Sequence, residues 1–245
     1  MKADPAVQRR LLDLAEVDAE LNRLAHRRRT LPEHAELSSA ETAVRSAKDK
    51  VVESETAAGD LDREIRRLER DVEAVRARTA RDRKLLDDSA VGARQVGNLE
   101  HELETLARRQ TVLEDEELEA MERREAVGID LDHARSTLET AEADQAAVLG
   151  RRDAMLLDID TVEAARRRTR VELVATMPPE LLAAYERRRE QRGAGAALLR
   201  ERRCGACRLE LDRTAISMLR AAPDDAVVHC EECGVILVRT RESGL

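Results

Sequence analysis

Residues 99–162, LEHELETLARRQTVLEDEELEAMERREAVGIDLDHARSTLETAEADQAAVLGRRDAMLLDIDTV, decide the fold. Stepping by seven from Leu99 gives Leu106, Leu113, Ala120, Val127, Ala134, Ala141, Val148, Met155 and Val162, an unbroken apolar row. A seven-residue repeat keeps one stripe of a slightly underwound α-helix facing a partner, so the segment reads as one long helix of a left-handed coiled coil. A helix of this length needs a partner over its stripe, because helix propensity alone does not hold it. The row offset by four is mixed. Leu103, Leu131, Leu138 and Ile159 are apolar, whereas Gln110, Glu117, Arg124, Gln145 and Arg152 are not, which predicts a narrow seam with one wet edge.

The partner lies upstream. Leu37, Ala40, Val44, Ala47, Val51, Ser54, Ala58, Leu61, Ile65, Leu68, Val72 and Val75 alternate in steps of three and four, with Ser54 the one polar member. Between these arms the pattern lapses over 76–98, which carries Gly92 and Gly97. The simplest topology folds the chain back there, giving an antiparallel hairpin with its tip near 89–97. A parallel dimer without a turn is the alternative, but it leaves two separate frames and a glycine-bearing gap unexplained.

Composition agrees with a seam and disfavours a large globular core. The 245 residues include no Phe or Trp and one Tyr, and 38% are charged. Aromatic residues usually supply much of a core's buried area. Sustained apolar periodicity argues against disorder. The formal charge of −8 excludes a nucleic-acid-binding surface over the whole chain and leaves local patches open. Only Lys2, Lys48, Lys50 and Lys84 are lysines among 43 basic residues, a ratio that GC-rich coding explains, so Arg abundance alone says little about phosphate. No apolar run approaches a signal peptide or a membrane span, and the chain reads as cytosolic.

Ahead of the hairpin, Val7, Leu11, Leu14, Val17, Leu21 and Leu24 predict a first helix that Asp4 caps and Pro5 opens. It should end or kink near Thr30, because Pro32 disfavours the helical conformation at Leu31. This helix could pack back as a third strand of the bundle. The return arm should stop near Thr176, before Met177-Pro178-Pro179. A short helix with Leu181, Leu182 and Tyr185 on one face follows, then Gly193 and Gly195 as a flexible joint. The expected organisation is a hairpin over 1–177, a short helix and linker over 178–197, and a separate module over 198–245.

That module contains the four cysteines of the chain. Cys204-Gly-Ala-Cys207 and Cys230-Glu-Glu-Cys233-Gly are two Cys-x2-Cys pairs, separated by the stretch 208–229. Each pair can hold one side of a tetrahedral zinc, and four thiolates leave no position for water or substrate, so the single ion expected is structural. Short strands over 209–211, 227–229 and 235–238, with a helical turn after Asp212, complete a zinc-ribbon pattern. Cytosolic disulfides are disfavoured, and a dithiol redox centre needs only one pair in a different context. His229 beside Cys230 reads as a strand residue.

With these segments in view, the chain resembles bacterial coiled-coil hairpin proteins that carry a C-terminal four-cysteine zinc ribbon. The resemblance rests on Gln95-Val-Gly-Asn-Leu-Glu-His-Glu-Leu-Glu-Thr-Leu106, on Met177-Pro-Pro-Glu-Leu-Leu-Ala-Ala-Tyr185-Glu-Arg187, and on the two knuckles with Val235-Ile-Leu237, and it covers essentially the whole chain. It implies binding partners such as an alternative sigma factor, secretion components or RNA, and no enzymatic activity. Many relatives carry Pro and Arg where this chain has Glu231 and Val235, which makes its second knuckle more acidic.

Three basic clusters stand out: 76–84, 166–170, and a run of Arg187, Arg188, Arg189, Arg192, Arg200, Arg202 and Arg203 opposed only by Glu190 and Glu201. The last could contact RNA, DNA or an acidic partner, although no aromatic residue is interleaved to stack bases. A solvated helical face is the plainer reading. No phosphate loop, nucleophile elbow or paired-carboxylate pocket is present. The sequence therefore predicts a mainly α protein: a long antiparallel coiled-coil hairpin and a small zinc ribbon acting as a non-enzymatic adaptor. Its partner is expected to be a protein, with no membrane and no small-molecule substrate. A nucleic-acid-binding factor is the alternative.

Overall fold

Asp4 and Pro5 start the first helix as their chemistry dictates. The Asp4 carboxylate accepts the Ala6 N–H at 2.7 Å, and Pro5, which has no N–H to leave orphaned, occupies the first turn of α1 (Pro5–Arg29). The structure is a computed structural model that describes residues 1–87 and 92–245. Pro32 breaks the helix fully rather than kinking it, and α2 runs from Pro32–Leu86. The return helix α3 spans Ala93–Ala175, so Gly97 is helical; of the tip expected near 89–97, residues 89–91 lie outside the described residues. Then come α4 (Pro179–Arg192), β1 (Ala196–Arg200), β2 (Arg203–Cys204), α5 (Arg213–Ala221), β3 (Val228–His229), β4 (Ile236–Val238) and a 3-10 turn (Arg241–Ser243).

The chain forms two compact units, residues 35–149 and residues 1–34 with 150–245. The first is the antiparallel pairing of α2 and α3. Arg76 meets Glu114 at 2.7 Å and Lys48 meets Glu142 at 3.1 Å, so the step back along α2 from Arg76 to Lys48 equals the step forward along α3 from Glu114 to Glu142. Leu68, Val72, Leu113 and Ala120 form a buried cluster between the two helices. Further pairs cross the seam, including Arg124 with Asp62 at 2.7 Å and Arg135 with Glu55 at 2.8 Å. These pairs are largely exposed and are worth little individually, so they set register and the apolar seam supplies the stability.

In the second unit Leu24 and Leu31 bury against Ile159, with Met155 and Leu156 alongside, and Arg166 meets Glu20 at 2.7 Å, so α1 partners this part of α3 in place of α2 instead of packing back as a third helix. The seven-residue row fails at this place. Val162 is 40% exposed whereas Ile159, of the offset row, is 1% exposed. A straight helix drifts by about 20° per heptad against a strict repeat, and the partner along this part of α3 is now α1.

The ribbon's sheet has the order β2-β1-β4-β3, with β1 parallel to β4 and the other pairs antiparallel. The stretch 209–211 contributes one bridge, Glu210 to Arg203, and the sheet instead takes a strand from 196–200, which begins ahead of the module expected at 198. Leu11 and Leu14 of α1 bury against Ile236 and Val238 of β4 and against Leu181 and Tyr185 of α4, so the ribbon shares a core with helices from both ends of the chain. The N-terminal segment continues this association: Ala3 N–H donates to the Asp225 carbonyl at 2.8 Å and Val227 N–H to that of Met1 at 3.1 Å.

The expected flexible joint is a tight one. Gly193 takes the left-handed conformation that closes α4, with φ of 80°. Gly195 is buried, and a Cβ there would lie 2.4 Å from the Tyr185 ring.

Candidate metal centre

Two turns of the same design hold the four cysteines. In the first, Arg208 N–H donates to the Cys204 carbonyl at 2.8 Å and Cys204 N–H to that of Leu209 at 3.0 Å. In the second, Gly234 N–H donates to the Cys230 carbonyl at 2.8 Å and Cys230 N–H to that of Val235 at 2.9 Å. The residue after each second cysteine is left-handed: φ is 64° at Arg208 and 73° at Gly234. Gly205 serves differently, through close approach, because a Cβ there would lie 2.7 Å from the Leu198 carbonyl oxygen, which its own N–H meets at 2.9 Å.

The sulfurs converge within 4.8 Å of one another, with Cys204 Sγ to Cys233 Sγ at 3.7 Å and Cys207 Sγ to Cys230 Sγ at 3.9 Å. A tetrahedral zinc with Zn–S bonds of about 2.3 Å requires S···S edges of about 3.8 Å. These separations also far exceed a disulfide bond of about 2.05 Å. The donor set therefore fits zinc. Cys204 and Cys230 are buried in a small core with Leu199, Leu211, Ile216 and Leu237. Burial pushes the Cys204 thiol up to about 12, so holding it as a thiolate would take a cation among the four sulfurs. His229 lies in β3 and stays out of the cluster.

Asp212 caps α5 by accepting the Ala215 N–H at 2.6 Å, and Arg239 closes the other end. The Arg239 guanidinium donates to the carbonyls of Leu219 (3.0 Å), Ala222 (2.7 Å), Pro223 and Ala226 (3.0 Å).

The basic run beside the ribbon is dispersed by its surroundings. Arg189 turns inward to Glu186 at 2.7 Å and Asp18 at 3.5 Å. Arg203 meets Glu210 at 3.2 Å and Arg200 meets Glu242 at 3.8 Å, while Arg202 donates to the Gly244 carbonyl at 3.3 Å and Arg188 to Gln191 at 3.3 Å. Arg187 reaches the Ala183 carbonyl on its own helix at 3.5 Å, and Arg192 is exposed in the last turn of α4. The seven arginines do not form one patch free of carboxylates.

Sequence reasoning missed a buried polar network nearby. Asp18 accepts Tyr185 Oη at 2.8 Å and Arg170 Nε at 2.7 Å, and Arg170 also reaches Glu186. The available signal was Asp18 falling on the apolar face of α1, one turn after Leu14 and two turns after Leu11.

The sequence profile of the CT398-like coiled coil hairpin domain matches residues 14–193. The chain belongs to that family. A C4-type zinc ribbon profile matches residues 203–237, covering all four cysteines. An uncharacterised protein of Mycobacterium tuberculosis is 43% identical over 98% of both chains. One from Mycobacterium leprae is 33% identical over 91% of this chain and 96% of its own length. A solved structure from Mycobacterium smegmatis superposes with a TM-score of 0.88 at 40% identity, over 98% of this chain and all of the other. CT398 from Chlamydia trachomatis shares the fold, with a TM-score of 0.68 at 19% identity over 95% and 97% of the two chains. Coiled-coil and zinc-ribbon domains of this kind fit a structural or interaction role. Among the described residues no helix is long and apolar enough to cross a membrane.

Proposed function

We propose that this family member is a non-enzymatic adaptor of the cytoplasm, in which the hairpin spaces or clamps a protein partner and the ribbon is a contact module built around one structural zinc ion. The observation that carries this reading is the closed donor set: four sulfurs within 4.8 Å of one another take every position of a tetrahedral ion and leave none for a reactant. The ribbon's core shared with α1 and α4 supports it further, because a contact module must be held rigidly to transmit binding. By family resemblance the partner is of the sigma-factor or secretion-component kind.

Affinity purification of the tagged protein from its native host, with and without nuclease, tests the proposal. A protein partner recovered equally in both arms, and lost when Cys230→Ser removes the ion, is the expected result. Recovery that nuclease abolishes would transfer the function to nucleic acid, with Arg187 and Arg192 as the first contacts to substitute. Elemental analysis of protein prepared without chelator should find one zinc per chain.

A further inference from the structure

A different group of arginines is left uncommitted. Arg9 of α1, Arg220 in the last turn of α5 and Arg241 of the 3-10 turn line one concavity of about 500 Å³, together with Arg239, Thr240 and Asp224. Among the described residues, Arg9, Arg220 and Arg241 make no side-chain hydrogen bond or ion pair. Arg239 adds a fourth charge, because among the described residues its guanidinium donates only to carbonyls and meets no carboxylate. Asp224 is the one carboxylate side chain in the wall, and Asp4, which precedes Pro5 at the rim, is engaged with the Ala6 N–H.

In a chain of net charge −8, four guanidinium groups against the Asp224 side chain and the main-chain carboxylate of Leu245, which also lines the wall, still leave the local sign positive. Positive groups held together at a concave, partly apolar wall focus the potential and draw in a counter-ion. Guanidinium forks match phosphate oxygens in pairs, which a lysine cluster would not do. The volume lies within the range of about 300–1,000 Å³ typical of small-molecule sites and is too small for a helix or a duplex. The three free arginines come from α1, α5 and the C-terminal turn, so a ligand bridging them would tie the first helix to the ribbon.

We propose that this concavity binds a small phosphate-bearing ligand of nucleotide size, with Arg9, Arg220 and Arg241 contacting the phosphates and Arg239 as a fixed part of the wall. The shared chemistry is a pair of adjacent phosphates, whether free or carried by a nucleoside.

Isothermal titration calorimetry of the full, zinc-loaded chain at low ionic strength tests this with inorganic pyrophosphate, ADP, adenosine, a polyglutamate peptide and a single-stranded RNA oligomer as probes. Pyrophosphate and ADP should bind once per chain and adenosine should not. ADP binding tenfold tighter than pyrophosphate would assign a nucleotide, and equal binding would assign the phosphates alone; both uphold the site. Replacing all three residues, Arg9→Gln, Arg220→Gln and Arg241→Gln, should weaken binding at least tenfold at unchanged zinc content and helical circular dichroism. These side chains hold no other part of the fold, so the variant should fold. Absence of saturable binding, equal binding by the triple variant, or binding of polyglutamate or RNA in place of pyrophosphate would overturn the proposal.

Discussion

Tyr185 Oη donates a 2.8 Å hydrogen bond to Oδ2 of Asp18 across 167 positions of sequence, with both residues buried. The same carboxylate accepts Arg170 Nε, so one acid joins α1, α3 and α4. Tyr185→Phe removes one neutral-to-charged bond and should cost about 1–2 kcal/mol. Asp18→Ala leaves a phenol and a guanidinium without their acceptor and should cost about 3 kcal/mol or more. Thermal melts read both. Burial, and then the bond to Asp18, raise the Tyr185 pKa above its ordinary value. Above about pH 10 the unfolded chain releases the phenolic proton while the folded chain retains it, so stability present below that pH is lost as pH rises. The alkaline loss should be smaller in Tyr185→Phe.

The same tyrosine explains a glycine. A Cβ at residue 195 would meet the Tyr185 ring at 2.4 and 2.5 Å and its carbonyl oxygen at 2.6 Å, and backbone cannot yield as a flexible side chain can. Gly195→Ala should therefore destabilise the protein by about 2 kcal/mol, within the range for overpacking. Gly193→Ala should cost about 1 kcal/mol through its left-handed backbone alone. Equal melting temperatures for Gly195→Ala and wild type would contradict this packing.

Arg208 and Gly234 occupy the same place in the two knuckles, and only one of them suits it. Arg208 keeps a left-handed backbone that costs a non-glycine residue about 1 kcal/mol. Arg208→Gly should be neutral to stabilising, whereas Gly234→Ala should lose about 1 kcal/mol. Competition with a chromophoric zinc chelator should show slower metal release for the first variant and faster release for the second.

Chelation at neutral pH should expose the ribbon to protease while most helical circular dichroism survives. The ribbon's own core is small, and metal binding supplies much of the folding free energy of such modules. Because Ile236 and Val238 also bury against Leu11 and Leu14, stripping the ion should in addition loosen α1. Cleavage within 1–30 should rise together with cleavage within 198–245, and unchanged protection of both segments would contradict the coupling.

The helices were legible because caps and breakers act locally: Asp4, Pro5, Pro32 and Pro178 mark ends that the structure places at or beside those positions. The convergence of the four cysteines was legible because they come as two close pairs whose spacing reports their chemistry. What escaped depends on pairings across the chain. The strand Ala196–Arg200 carries no alternation of its own and exists because the far later β4 pairs with it, Ala196 opposite Ile236. The inward turn of Arg189 depends on Asp18, and a basic run in sequence does not reveal which of its members face acids elsewhere.

The limit of the heptad reading is itself measurable. Leu113 and Ile159 are each 1% exposed, but only Leu113 belongs to the row read from Leu99, and Val162, which closes that row, is 40% exposed. Burial and not register should govern the energetics. Leu113→Ala and Ile159→Ala should each cost about 2–4 kcal/mol, since both remove methyl groups from close-packed clusters. Val162→Ala should change stability by less than about 0.5 kcal/mol, as expected of an exposed position. Chemical denaturation of the three variants decides between the two: a large loss at Val162 with none at Ile159 would return the seam to a strict seven-residue repeat, and the opposite pattern would locate the place where α1 takes over as partner.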